Sequence, residues 1–108
     1  MSKPRERAAA EVFFALGDRT RLAVVRRLGA GARTATALAD GAAVSRQAIV
    51  KHLQVLEAAG LVSHARHGRE VRYALEAARL AEARVFLDGI SAGWDRALGR
   101  LRALVEAS

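Results

Sequence analysis

Residues 44–62, VSRQAIVKHLQVLEAAGLV, decide how the rest of the chain is interpreted. Four apolar residues in this stretch recur at the three- and four-residue spacing of a helix with one buried face. They are Ile49, Leu53, Leu56 and Ala59. The spacing predicts one amphipathic helix that packs its apolar side into the core and leaves its polar side exposed.

The same stretch carries signals for both ends of this helix. The short hydroxyl of Ser45 can accept a hydrogen bond from a first-turn backbone N–H, so Ser45 is the expected N-cap. Gly60 follows the apolar pattern where a residue of positive φ often ends a helix. We therefore expect the helix to begin at Ser45 and to stop at Gly60.

The exposed face of the first two turns has the chemistry of a DNA reader. Arginine forks pair with guanine O6 and N7, glutamine pairs with adenine N6 and N7, and a small apolar group fits a thymine methyl. We expect Arg46 and Gln47 to read bases and Val50 to contact a methyl group. Ser45 and Lys51 are expected to contact phosphates or base edges. The stretch therefore predicts a DNA recognition helix.

Length and charge agree with a small DNA-binding domain. The chain has 108 residues, enough for one domain with a modest core. Its 18 Lys and Arg residues against 11 Asp and Glu residues give a formal charge of +7. Such a charge favours a polyanion, nucleic acid before a membrane surface. Only Lys3 and Lys51 are lysines, and we attribute most of the arginine excess to coding bias.

Several classes of function are excluded or disfavoured. The sequence contains no cysteine, which excludes disulfides, a thiolate metal site and a thiol redox switch. Residues 1–7 lack the apolar segment typical of a secretory leader, and no run of about 18 apolar residues occurs, so neither a leader nor a membrane span is expected. No phosphate loop or carboxylate–histidine constellation is visible, so neither enzymatic activity nor a cofactor is expected. We expect a cytosolic protein with one domain over residues 1–108 and no membrane span.

The N-terminal part predicts a short helix behind a polar lead-in. Residues 1–7 are polar and are expected to be frayed, whereas residues 8–16 have helical periodicity. Two adjacent aromatic residues, Phe13 and Phe14, cannot both face a narrow stripe on a helix. Either one of them faces a second subunit, or both lie in one broad core face.

Asp18 is the expected N-cap of a second helix over residues 19–28. The apolar side of this helix is predicted to consist of Leu22, Val25 and Leu28. Arg26 and Arg27 on its polar side are expected to be solvated surface charges. A Gly-Ala-Gly turn ends the helix.

A third, short helix over residues 34–39 completes a helix-turn-helix with the recognition helix. Thr34 is its expected N-cap. Thr34 and Thr36 lie at a helix N-terminus, where hydroxyl groups and the helix dipole favour phosphate. Both are therefore expected to contact the DNA backbone.

After Gly60 the periodicity changes to that of strands. Residues 61–66 and 71–75 read as two short strands joined by a turn that contains Gly68. A basic hairpin directly behind a helix-turn-helix is the wing of a winged helix. Arg69 at its tip is expected to enter the minor groove, because narrow A·T tracts attract arginine.

The chain from about residue 76 to residue 107 is predicted to be one long helix. Gly89 and Gly93 lie inside it, and the alternative is a break there into two shorter helices. Apolar side chains recur along it every three or four residues and would form a large exposed patch on a monomer, so we expect them to face a second subunit. They are Leu87, Ile90, Trp94, Leu98, Leu101 and Val105.

The predicted order α-α-α-α-β-β-α is that of a mainly α, winged helix-turn-helix fold. Three motifs accompany it: Leu16-Gly17-Asp18-x-x-Arg21-Leu22, Ser45-x-x-x-Ile49-x-x-His52-Leu53-x-x-Leu56-x-x-x-Gly60-Leu61-Val62 and Gly68-Arg69-x-x-x-Tyr73-x-Leu75. With these motifs the chain resembles the ArsR family of bacterial winged-helix repressors over roughly residues 12–105. The resemblance implies a homodimer built from the first and last helices, binding to double-stranded operator DNA, and release on an inducing signal that the sequence does not identify.

Many members of that family sense metals, but the residues needed for this do not match. The family's thiolate site falls on residues 36–40, which contain no cysteine. The last helix, where the other frequent site lies, offers carboxylates without a histidine. His64 and His67 lie three residues apart without a convergent carboxylate, and we interpret them as solvated wing residues. No metal site is therefore expected.

Two questions stay open at this point. His52 belongs to the motif of the recognition helix, and it is either half-buried and hydrogen-bonded within the fold or a phosphate contact. The winged helix itself can also serve as a protein–protein adaptor. An adaptor would be expected to carry apolar or acidic residues where this chain has Arg46, Gln47 and Lys51.

Overall fold

The computed structural model describes residues 3–107. Within this range it contains five helices and three strands. They are α1 (Lys3–Leu16), α2 (Arg19–Leu28), β1 (Arg33–Thr34), α3 (Ala35–Ala39), α4 (Arg46–Ala58), β2 (Val62–His67), β3 (Glu70–Leu75) and α5 (Ala77–Ala107). The predicted mainly helical fold with a β-hairpin is confirmed, and the one added element is the short strand β1.

The strands form one antiparallel sheet in the order β1-β3-β2. The hairpin pairs Val62 with Leu75 at its base and His67 with Glu70 next to the turn. Strand β1 pairs Arg33 with Tyr73, which attaches the start of α3 to the wing. A two-residue strand has no period that a sequence could reveal, and β1 was therefore not predicted.

The core lies between the helices and the base of the hairpin. Its largest side chains are less than 2% exposed, and full burial of such a side chain contributes about 1.5–3 kcal/mol. They are Val12, Leu38, Ile49, Leu53, Leu56 and Leu61. The predicted inner face of α4 is therefore confirmed.

The predicted helix ends are confirmed as well. The side chains of Asp18, Thr34 and Ser45 each accept hydrogen bonds from first-turn backbone N–H groups at 2.9–3.1 Å. Gly60, which follows α4, has a φ of 78°. A Cβ at this glycine would lie 2.7 Å from Arg79 Nε, which a flexible guanidinium can relieve by moving, so it is the positive φ that requires glycine.

Helix α1 begins five residues earlier than the sequence pattern indicated. Residues 3–7, which we expected to be frayed, are helical, and residues 1–2 lie outside the described range. Arginine and glutamate have high helix propensity, and Pro4 falls in the first turn, where its missing N–H removes no intrahelical bond.

The inner face of α2 also differs from the prediction. Leu22 is 44% exposed, whereas Val24 is buried together with Val25 and Leu28. A helix turns by about 100° per residue, so a face centred on these three residues leaves Leu22 on the flank. The predicted inward position of Leu22 was wrong.

Helix α5 is continuous through Gly89 and Gly93 and is 31 residues long. The alternative of two shorter helices was therefore wrong. At about 1.5 Å per residue the helix is ~46 Å long, and the described part of the molecule measures 69 × 30 × 20 Å. Neither α5 nor any other helix of residues 3–107 is apolar and long enough to span a membrane.

Candidate nucleic-acid interface

Helix α4 presents a polar face next to the wing. Arg46, Gln47 and Lys51 are exposed, and Val50 is half-buried at the edge of this face. Ser45 is exposed at the helix start, where its hydroxyl caps the first turn. These five side chains lie at the start of one helix whose opposite side is anchored in the core.

A cleft separates α4 from the wing. It brings together residues from α3, α4 and the hairpin that the sequence had assigned to separate motifs. The lining includes Thr34, Thr36, Arg46, Val50 and Arg69, and also Tyr73. Tyr73 was not expected here, because only the pairing of β1 with β3 brings it next to α3.

Arg46 is fixed at the edge of this cleft. Its Nε donates a hydrogen bond to Thr36 Oγ1 at 3.1 Å, and both side chains are exposed. The contact engages Nε, so a bidentate contact to guanine would use the terminal Nη1 and Nη2 groups. The hydroxyl of Thr36 can accept this bond and still donate one to a phosphate.

The wing is rich in arginine. Arg69 is exposed in the turn of the hairpin. Arg66 Nε donates to the carbonyl oxygen of Gly68 at 3.3 Å, and Arg72 pairs with Glu70 at 3.2 Å. The Arg72–Glu70 pair is exposed and contributes little to stability.

Arg27 holds α3 in place. Its Nη1 donates to the carbonyl oxygen of Leu38 at 2.9 Å, and its Nη2 donates to that of Ala37 at 3.0 Å. Both carbonyls belong to the end of α3, and that of Ala37 also accepts from the backbone N–H of Asp40 at 3.3 Å. The expectation that Arg27 is a solvated surface charge was wrong, whereas Arg26 is exposed as expected.

His52 lies on α4 but faces the junction of α1 and α2. Its side chain is 22% exposed, and its Nδ1 lies 3.4 Å from Arg21 Nη1 and 3.8 Å from Asp18 Oδ2. His52 is therefore half-buried and in contact with polar groups within the fold, which was one of the two interpretations left open by the sequence. A phosphate contact by His52 stays a prediction.

Asp18 is part of the same junction. The backbone N–H of Arg21 donates to its carboxylate at 3.0 Å and holds the pKa of Asp18 below its ordinary value. Partial desolvation raises this pKa, and the positive charge of the Arg21 guanidinium lowers it. The ionised form of Asp18 is therefore the one that the fold stabilises.

His64 is a solvent-exposed wing residue, as predicted, but it also contacts a carboxylate that was not expected. Its Nδ1 lies 2.6 Å from Glu57 Oε1, so it links the wing to the end of α4, and its ring lies 5.8 Å from that of Tyr73. His67 is exposed. Nowhere in residues 3–107 do three or more His, Asp or Glu side chains converge as metal ligands would.

The distal part of α5 presents an apolar stripe. Its side chains are each 44–67% exposed, and only Ala83 of the residues in α5 is buried. The stripe consists of Leu87, Ile90, Trp94, Leu98, Leu101 and Val105. These are the residues assigned from the sequence to a subunit interface.

The two adjacent phenylalanines of α1 face different ways. Phe13 packs against the core, and its ring lies 6.2 Å from that of Phe86 in α5. Phe14 is 72% exposed, with the guanidinium of Arg21 5.7 Å from the centre of its ring. Of the two rings, Phe14 is the one available to a second subunit.

The fold and this surface together define a winged helix-turn-helix protein. The helix-turn-helix domain family HTH_20 matches residues 16–65. An ArsR-like transcriptional regulator from Rhodococcus sp. RHA1 has a solved structure that superimposes with a TM-score of 0.81 at 41% identity, covering 92% of this chain and 93% of that one.

Two relatives from Mycobacterium tuberculosis extend this similarity. The HTH-type transcriptional regulator Rv2034 is 37% identical over 101 residues, which are 94% of this chain and 92% of that protein. The HTH-type transcriptional repressor SmtB is 38% identical over 90 residues, which are 82% of this chain but only 65% of SmtB. The chain belongs to the ArsR family of winged helix-turn-helix transcriptional regulators.

Proposed function

We propose that this protein is a homodimeric repressor that binds a palindromic operator in double-stranded DNA. The observation that carries the proposal is the exposed polar face of α4, with Arg46 anchored by Thr36 beside the arginine-rich wing. The formal charge of +7 supports a polyanionic partner. The relationship to SmtB, a transcriptional repressor, supports repression over activation. The protein would act in the cytoplasm.

In this proposal α4 enters the major groove. Arg46 and Gln47 read base edges, and Val50 contacts a thymine methyl. Ser45 and Lys51 contact phosphates or base edges near the start of the helix. The exposure of all but Val50, which is half-buried, supports these roles.

Backbone contacts come from α3 and the wing. Thr34 accepts the capping hydrogen bond of Ala37 at 3.1 Å, and its own O–H can donate to a phosphate at the same time. Thr36 would act in the same way while holding Arg46. Arg69 at the wing tip would enter the adjacent minor groove.

A second copy of the chain would cover the apolar stripe of α5. A stripe of six exposed apolar side chains is uncommon on a monomeric protein, and Phe14 of α1 is a further exposed aromatic side chain. Phe13, which packs against Phe86, would support the interface from within the protomer. In the dimer the two α4 helices would reach successive major grooves about 10–10.5 bp apart.

Selection of bound fragments from random duplex DNA, followed by salt titration on the selected duplex, tests the proposal. The expected result is a palindrome with half-sites one helical turn apart, and a logarithm of affinity that falls linearly with the logarithm of salt concentration. If no sequence is enriched and binding is weak with a steep salt slope, the positive charge is a generic polyanion surface. That outcome would favour the protein–protein adaptor.

A further inference from the structure

We propose that Arg21 and His52 form a positioning pair that sets the orientation of the recognition helix. In this pair His52 accepts a hydrogen bond through Nδ1 and does not bind phosphate. The inference deepens the proposed DNA-binding function and assigns roles to two residues that neither read bases nor contact the DNA backbone.

The guanidinium of Arg21 connects three helices. Its Nε donates to the carbonyl oxygen of Ala15 at 2.7 Å, and its Nη2 reaches the carbonyl oxygen of Phe14 at 3.5 Å. Both carbonyls lie in the last turn of α1, and that of Phe14 also accepts from the backbone N–H of Gly17 at 3.1 Å. The remaining nitrogen, Nη1, lies 3.4 Å from Nδ1 of His52 on α4. One side chain of α2 therefore ties the end of α1 to the recognition helix.

The chemistry of the two groups fixes the direction of the hydrogen bond. A guanidinium has five N–H donors and no acceptor, so Nδ1 of His52 must be the acceptor. The proton of the neutral imidazole then sits on Nε2. Asp18 acts on the other partner of the pair, because its carboxylate accepts a hydrogen bond from the backbone N–H of Arg21 at 3.0 Å and fixes the start of α2, from which the Arg21 side chain projects.

The hydrogen bond between Arg21 and His52 is directional, whereas the packing of apolar side chains in the core is not. Helix α4 buries Ile49, Leu53 and Leu56, and apolar burial is non-directional. Its other polar contacts, of Arg46 with Thr36 and of Glu57 with His64, lie near its two ends and involve exposed side chains. The hydrogen bond from Arg21 fixes how far α4 is rotated about its own axis, and with it the direction of Arg46 and Gln47. Its loss should weaken specific DNA binding while leaving the number of phosphate contacts unchanged.

Two amide substitutions of His52 separate the positioning role from a phosphate contact, because each amide replaces only one of the two ring nitrogens. The side-chain oxygen of asparagine can occupy the place of Nδ1, whereas the amide of glutamine reaches the place of Nε2. We expect His52→Asn to bind the selected operator like the wild type. His52→Gln and Arg21→Lys should bind it roughly 10–100-fold more weakly, since each loses a charge-assisted hydrogen bond. Arg19→Lys, a substitution of an exposed arginine on the same helix, is the matched control and should have no effect.

The salt dependence of each affinity gives the second readout. Loss of one phosphate contact lowers the slope of log affinity against log salt by about 1, whereas a positioning defect leaves it unchanged. Fluorescence anisotropy on the selected duplex measures both quantities, and thermal unfolding confirms that each variant is folded. The proposal is supported if His52→Gln binds the duplex more weakly than the wild type but has the same slope of log affinity against log salt. Wild-type binding by His52→Gln, or a lowered slope in it, would overturn the proposal.

A third readout needs no DNA and separates this inference from the proposed function. Long-range ¹H–¹⁵N NMR spectra of the free protein report the imidazole tautomer. The expected result is the tautomer with its proton on Nε2, and loss of this preference in Arg21→Lys. If the wild type shows this tautomer but binds no DNA, the proposed function is wrong, whereas the hydrogen bond between Arg21 and His52 is supported. If Nδ1 carries the proton, the pair itself is refuted.

Discussion

Arg46 and Thr36 are joined by a hydrogen bond of 3.1 Å between Nε and Oγ1, across the turn of the helix-turn-helix. Both residues are exposed, so the bond orders a surface guanidinium before any ligand arrives. An arginine that is already ordered loses less side-chain entropy when it binds a base. We therefore regard Arg46 as a pre-organised base reader.

Arg46→Ala should relax the preference at one base position of the operator by about 1–3 kcal/mol, because a bidentate contact to guanine is lost. Competition binding with duplexes that are changed at one base pair at a time measures this effect. Arg26→Ala, which removes an exposed arginine of α2, is the control and should leave every preference intact. Uniform weakening across all sequences by Arg46→Ala would mean that Arg46 contacts phosphate instead.

Leu101→Asp should dissociate the proposed dimer. Leu101 is 57% exposed on the apolar stripe of α5, and burial of a leucine in an interface contributes about 1.5–3 kcal/mol. Ala103→Asp is the control. It introduces the same charge two residues further along α5, on the side of the helix opposite the stripe, and should leave the dimer intact. Sedimentation velocity distinguishes these results. Equal masses for the two variants would contradict an interface along the stripe.

Gly89→Ala should stabilise the protein by about 0.5–1 kcal/mol, since glycine in an exposed helix costs about that much relative to alanine. A Cβ at Gly89 would meet nothing within 4 Å, and this position lies on the side of α5 away from the stripe. Urea denaturation measures the change. Gly60→Ala, at a φ of 78° and in close approach to Arg79, is the contrasting variant and should destabilise. Destabilisation by Gly89→Ala would indicate that another helix packs closely at this point.

Asp18 should make the stability depend on pH in the acidic range. The pKa of Asp18 is lower in the folded state than in the unfolded chain, chiefly because of the backbone N–H of Arg21. Its stabilising contribution is therefore fully present above the ordinary Asp pKa of about 3.9 and is lost as the pH falls through the folded value.

Asp18→Asn tests this prediction, because asparagine can still cap α2 but does not titrate. The difference in urea midpoint between wild type and variant should be constant above about pH 5 and should shrink as the pH falls through the range of Asp titration. A difference that does not vary with pH would show that the carboxylate of Asp18 adds nothing beyond its capping oxygen.

Local rules explain why most of the fold could be predicted. The caps at Asp18, Thr34 and Ser45 and the end of α4 at Gly60 depend on chemistry within a few residues. The two-residue strand β1 depends on pairing with residues about forty positions away and has no local signal. Leu22 was wrongly predicted to be buried, because the apolar residues of α2 allow two inner faces, one that includes Leu22 and the observed one that includes Val24.

The polar face of α4 followed from helical periodicity, whereas the contacts that orient it did not. Arg27, Arg21 and His52 each bind a group on another helix, and such contacts depend on tertiary placement. A sequence shows that an arginine is present on a polar face but not whether its guanidinium reaches an open helix end. The same limit left the role of His52 open.

A change of half-site spacing tests the central claim most directly, that two α4 helices of one dimer bind successive major grooves. The selected operator is compared with a duplex in which ~5 bp, about half a helical turn, is inserted between its half-sites. This insertion moves the second half-site to the opposite face of the DNA. We predict that affinity falls to that of a duplex with a single half-site. Unchanged affinity would contradict a rigid dimer that reads both half-sites from one face.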